Sequence, residues 1–126
     1  MLFRSLDKAR KILVELNERY PASNEITFYL AELELERKNT EAAITYFGRI
    51  STDYSKFDQA VGRVVSVYRG QKRYSEGEAF LLSSLQKRPD LVALYPILAA
   101  LYEDQSRLED ARLVLERGQK IGRAHV

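Results

Sequence analysis

The sequence predicts an all-α protein, a solenoid built by stacking helix–turn–helix units. Two observations carry this. Small and apolar residues recur at a fixed offset of 34 residues, and each period splits into two stretches of helical patterning. Composition agrees: the 126 residues are 45% apolar and 30% charged, with only 6 Gly and 3 Pro, which excludes disordered, collagenous and low-complexity chains.

The offset aligns Ala9, Ala43, Gly77 and Ala111 in one column, and Leu13, Phe47, Leu81 and Leu115 four residues later. A third column holds Leu16, Ile50, Ser84 and Gly118, and a fourth holds Pro21, Ser55 and Pro89. Leu30, Val64 and Leu98 align earlier in each unit, followed by Ala31, Val65 and Ala99, then Leu33, Val67 and Leu101. No insertion or deletion is needed. An ordinary helical bundle with Ala-rich contacts would explain any one column, but not the whole set in register.

Within each period the first helix is expected over 26–37, 57–70 and 92–104, and the second over 41–50, 74–86 and 108–118. Residues 1–23 carry a second-helix pattern alone, through Leu6, Ala9, Leu13 and Leu16. Pro89 and Asp90 punctuate the entry to the last unit, with Asp90 as the expected N-cap. Pro96 fits only in a first helical turn; deeper in a helix it would force a bend. The small column at Ala43, Gly77 and Ala111 marks where paired helices approach closely, and Phe47, Leu81 and Leu115 are expected to fill the wider gap one turn on.

These residues resemble the tetratricopeptide repeat family, whose 34-residue helix–turn–helix unit carries a loose pattern of Trp, Leu, Gly/Ala, Tyr, Ala, Phe, Ala and Pro. The small first-helix residue corresponds to Ala31, Val65 and Ala99, and the family's Tyr to Tyr68 and Tyr102. The second-helix Ala corresponds to Ala43, Gly77 and Ala111, and the terminal Pro to Pro21 and Pro89. Thr27, Val61 and Tyr95 stand at the Trp position, and Glu34 at a Tyr position. The resemblance covers residues 1 to about 120 and implies a right-handed α-α superhelix of about seven helices. Its units are a half repeat at 1–23 and repeats at 24–57, 58–91 and 92–121. The tail at 122–126 fits no repeat position, so it is expected to be an expression scar and its His125 to have no role. An unpaired leading half repeat and the lack of a polar final helix point to a piece of a longer array, or to one completed by another chain.

The resemblance also implies where function lies: a concave groove lined by first helices, taking a peptide or helix of a partner protein. The groove positions fall on Glu25, Phe28, Glu32, Leu35 and Glu36 in the first full unit. They fall on Gln59, Ser66 and Arg69 in the second and on Ala100, Glu103 and Asp104 in the third. Phe28 and Leu35 are the expected apolar anchors, unless they only pack within the fold. The Lys–Asn clamp with which some family members hold a C-terminal carboxylate has no counterpart, since Phe28, Glu32, Gly62 and Ser66 occupy the inner positions.

Other classes are weaker. With no Cys and His125 as the sole His, thiolate and imidazole chemistry is unsupported, and carboxylate pairs such as Glu32 with Glu36 match ordinary solvated helix faces. No catalytic residue, cofactor or metal site is expected. A net charge of +2 and a single basic turn at Lys72, Arg73 and Tyr74 give no continuous stripe for nucleic acid. No apolar run reaches the ~20 residues of a membrane span. The expected partner is a protein or peptide. The alternatives are self-association through the terminal helices, and a regulatory arm for a catalytic domain outside this chain.

Overall fold

The computed structural model describes residues 2–124. Those residues form seven α-helices and no strand: α1 (Leu2–Arg19), α2 (Asn24–Glu36), α3 (Thr40–Gly48), α4 (Phe57–Gly70), α5 (Tyr74–Lys87), α6 (Leu94–Asp104) and α7 (Leu108–Ala124). His125 and Val126 lie outside the described residues, whereas Gly122–Ala124 continue α7. The helices fall into two compact units, residues 1–60 and 61–126.

In the first unit α2 packs on both α1 and α3. Ser23 caps α2, its hydroxyl accepting from the Ile26 amide at 3.3 Å. Leu30, Ala31 and Ala43 are fully buried, and Phe28 meets Phe47 edge-on with centroids 5.6 Å apart. In the second unit α6 packs on α5 and α7 around Leu81, Leu94, Leu98, Leu101 and Ala111. The small column works as the sequence predicts at Gly77: a Cβ there would come within 3.3 Å of the Tyr68 Cβ, so the backbone of α5 runs close to α4.

The turn inside each helix–turn–helix repeat recurs at 34-residue spacing. Lys38, Lys72 and Ser106 all adopt left-handed backbone, with φ of 63°, 57° and 59°. The next amide, of Asn39, Arg73 or Arg107, donates back to the carbonyl of Glu34, Tyr68 or Tyr102 at 2.8 Å each time. This six-to-one bond, with a five-to-two bond beside it, is a Schellman closure of the first helix. In the second unit Arg73 and Arg107 then lie over the rings of Tyr68 and Tyr102, at 4.7 and 4.2 Å from the centroids. Burial pushes the Tyr102 phenol above its usual pKa, and the Glu78 carboxylate adds to the shift.

The first unit solves the same corner differently. Glu34 replaces the Tyr and is only 1% exposed, so its charge needs partners. Arg10 from α1 reaches it at 3.2 Å and Arg37 at 3.0 Å, and Arg37 also holds Asp7 at 3.0 Å.

Two expectations are corrected. Asp90 does not cap α6: the helix begins after Ala93 with no side-chain cap, and the Asp90 carboxylate takes the Arg88 guanidinium instead, at 2.9–3.0 Å. Leu115 is 43% exposed although Phe47 and Leu81 in its column are buried, because no element among the described residues packs on that side of α7. Pro96 meets the condition set for it. It is the third residue of α6, in the turn whose amides have no intrahelical acceptor, so the ring is accommodated there.

Candidate functional site

The groove positions expected from the sequence lie on α2, α4 and α6, and each unit presents its own set. On α2 the exposed residues Glu25, Tyr29 and Glu36 and the half-buried Glu32 follow spacings of four, three and four residues, one face of the helix. Glu25 sits in the first turn, where the helix dipole favours an acid.

Phe28 is not part of this face. It is 1% exposed and packs on Phe47 and, at 6.2 Å between centroids, on Tyr54. One residue further on, Tyr29 is 48% exposed and stands on the surface where Phe28 was expected. The Lys56 ammonium lies over both rings, 5.3 Å from the Phe28 centroid and 5.6 Å from that of Tyr29. Leu35 is half-buried beside the acidic face, and Gln59 is exposed near the start of α4. The first unit thus displays one aromatic ring among three carboxylates, with one ammonium at its edge.

The spacing of Tyr29 to Glu25 and Glu32 was visible in the sequence; an expectation carried over from the family's groove positions favours Phe28. Glu34 and Lys56 carry no such local signal, since their partners come from other elements.

In the second unit Ser66 is exposed on α4, and Ala100 on α6 is half-buried. Both side chains are small and leave room above the backbone. Arg69 and Asp104, one on each helix, form a two-pronged ion pair: Nε donates to Oδ2 at 2.6 Å and Nη2 to Oδ1 at 3.0 Å. Arg69 is therefore no free cation for a ligand. Its guanidinium, by hydrogen bonding, holds the Asp104 carboxyl below the usual carboxylate range. Glu103 is exposed beside this pair and adds its field to Arg69. This surface can accept a backbone or small side chains against Ser66 and Ala100, and donors against Glu103.

No helix among the described residues is long and apolar enough to cross a membrane. The helices, their turns and their 34-residue recurrence define an all-α helical-repeat fold, a solenoid of helix–turn–helix units. Solved structures with the same fold include a crystal structure of MamA, matched with a TM-score of 0.73 at 14% identity over 95% of this chain and 70% of that one. A second, "Crystal structure of MamA protein", matches with a TM-score of 0.70 at 15% identity, over 92% of this chain and 63% of that one. A third, "MamA MSR-1 C2", gives 0.66 at 13% identity over 97% and 70%. No family model matches the sequence, and no curated relative does.

Proposed function

We propose that the chain is a protein-interaction module that binds a peptide or helix of a partner on its first-helix faces, as an adaptor or scaffold in a larger complex. The observation that carries this is the α2 face: an exposed Tyr29 set among Glu25, Glu32 and Glu36, on a helix whose opposite side is buried. An exposed aromatic ring within charged surroundings is the composition that anchors protein contacts. The tetratricopeptide-type fold supports the same reading, and the acidic ring of residues favours a segment bearing Lys or Arg. No bond chemistry and no cofactor enter it.

The test is fluorescence anisotropy with labelled twelve-residue amphipathic peptides that differ only in net charge. Cationic peptides bind the wild type more tightly than acidic ones, and the difference shrinks with added salt. Tyr29→Ala and Glu36→Lys each weaken the cationic peptide about tenfold, the scale of a 1.4 kcal/mol anchor. Equal binding of both peptide classes, unaltered by either substitution, overturns the proposal.

A second reading, self-association, is favoured by Ile12 on α1 and Leu108 on α7, which are 59% and 67% exposed, with the exposed Leu115 about two turns further along α7. Light scattering across a hundredfold concentration range decides it. A mass that rises with concentration and falls back in Leu108→Lys supports it, and a constant monomer mass overturns it.

A further inference from the structure

α5 and α7 both pack on α6, but between them they leave a cleft of about 290 Å³. Its floor is the buried trio Leu85, Tyr95 and Leu98. Tyr95 is held rigidly there, with its hydroxyl donating to the Pro89 carbonyl at 2.8 Å and its ring against the bare backbone of Gly118. Leu82, 44% exposed, forms one wall and Val114 the other. On each helix these residues follow a spacing of three, so two helix faces converge on one opening.

The rim adds charge. Arg117, one turn beyond Val114, lines the cleft and makes no hydrogen bond or ion pair among the described residues. Elsewhere in this unit Arg69 holds Asp104, Arg88 holds Asp90, Arg107 holds Glu78 and Arg112 holds Glu109 and Glu116. A buried apolar floor beside a guanidinium that has no partner among the described residues matches a ligand with an apolar group next to a carboxylate. The volume lies at the small end of the ~300–1,000 Å³ of clefts that enclose whole drug-sized ligands. It suits one side chain and its adjoining backbone better than a lipid chain.

We propose that the α5–α7 cleft is a docking site for a partner peptide that inserts a leucine-sized side chain over Tyr95 and pairs a neighbouring carboxylate with Arg117. The cleft shares no residue with the α2 face, and either reading can fail without the other.

The experiment is methyl NMR of the full chain titrated with N-acetyl-leucyl-aspartyl-methylamide. Its asparaginyl and glycyl twins remove the charge and the apolar group in turn, and octanoate supplies the lipid-like control. Saturable shifts of the Leu85, Leu98 and Val114 methyls are expected with a millimolar Kd for the aspartyl probe. The asparaginyl probe binds about threefold more weakly, the scale of one solvent-screened ion pair. In Arg117→Gln, whose exposed side chain has no partner among the described residues, the two probes bind alike, while Tyr29→Ala leaves all the shifts unchanged. The proposal is overturned if no saturable shift appears, if the aspartyl and asparaginyl probes bind the wild type equally, or if octanoate binds more tightly than the aspartyl peptide.

Discussion

A Cβ placed on Gly118 would fall 2.6 Å from the Cβ of Tyr95 and 2.9 Å from its Cγ, closer than real side chains approach. α7 therefore crosses α6 on bare backbone, and Tyr95 cannot swing aside because its hydroxyl is tied to the Pro89 carbonyl. Helix propensity alone favours Ala over Gly by ~1 kcal/mol. The clash outweighs that preference: Gly118→Ala is expected to destabilise by ~1–3 kcal/mol, as overpacking does. Gly77→Ala is the control. Its Cβ would meet Tyr68 at 3.3 Å and Leu101 at 3.6 Å, and its column already holds Ala43 and Ala111. It should stay within ~1 kcal/mol of the wild type. Urea unfolding of both variants decides the matter; equal stability would mean that α7 shifts away from Tyr95.

Lys38, Lys72 and Ser106 close their helices with positive φ, a conformation that L side chains adopt only at a penalty of roughly 1–2 kcal/mol and that glycine adopts freely. Each of Lys38→Gly, Lys72→Gly and Ser106→Gly should raise stability by ~0.5–1 kcal/mol. The triple variant should gain nearly the sum, since each turn closes through its own set of backbone hydrogen bonds. Thermal unfolding of the four proteins checks this, and a lowered midpoint in any single variant contradicts the backbone account.

The helices were legible because the 34-residue columns repeat both residue size and helical period, and α4 occupies the span that pattern predicts. What escaped depends on neighbours that a column cannot report. Phe28 and Tyr29 are adjacent aromatics separated by one-third of a helical turn, and only the packing of Phe47 and Tyr54 decides which is buried. Leu115 shares its column with Phe47 and Leu81, yet burial requires a covering element. Arg69 and Asp104 were each foreseen at the candidate site, but their pairing joins residues 35 apart, one step out of register. The left-handed turn positions hold Lys, Lys and Ser, with no Gly or Asn to announce them.

Glu34 tests whether the first unit's corner is a local exchange of one device for another. Glu34→Tyr restores the aromatic of the other two corners but strips Arg10 and Arg37 of their carboxylate, so a loss of ~1–3 kcal/mol is expected. Adding Asn39→Arg recreates the arrangement in which Arg73 covers Tyr68 and Arg107 covers Tyr102. The second substitution should recover ~0.5–1 kcal/mol in the Glu34→Tyr background and little in the wild type. A double-mutant cycle measures that coupling; additive effects would show that the two corners are not interchangeable.

The Arg69–Asp104 pair gives stability a defined pH dependence. Hydrogen bonding to Arg69 holds the Asp104 carboxyl below its unfolded value, which is about 3.9 for a free Asp. A depressed acid stabilises the fold above the unfolded pKa, and that contribution is lost as pH falls through the lower, folded one. Both side chains are partly open to solvent, which discounts the pair to ~0.5–1 kcal/mol near neutrality. Asp104→Asn should therefore be less stable than the wild type at pH 7, and the gap should close as the pH drops below about 4. High salt should narrow the same gap at neutral pH, because the pair is screened where it is exposed. Urea midpoints for the two proteins from pH 7 down to pH 2 test this directly. A gap that stays constant across the range would mean that the loss comes from packing at position 104 and that the carboxylate charge contributes nothing.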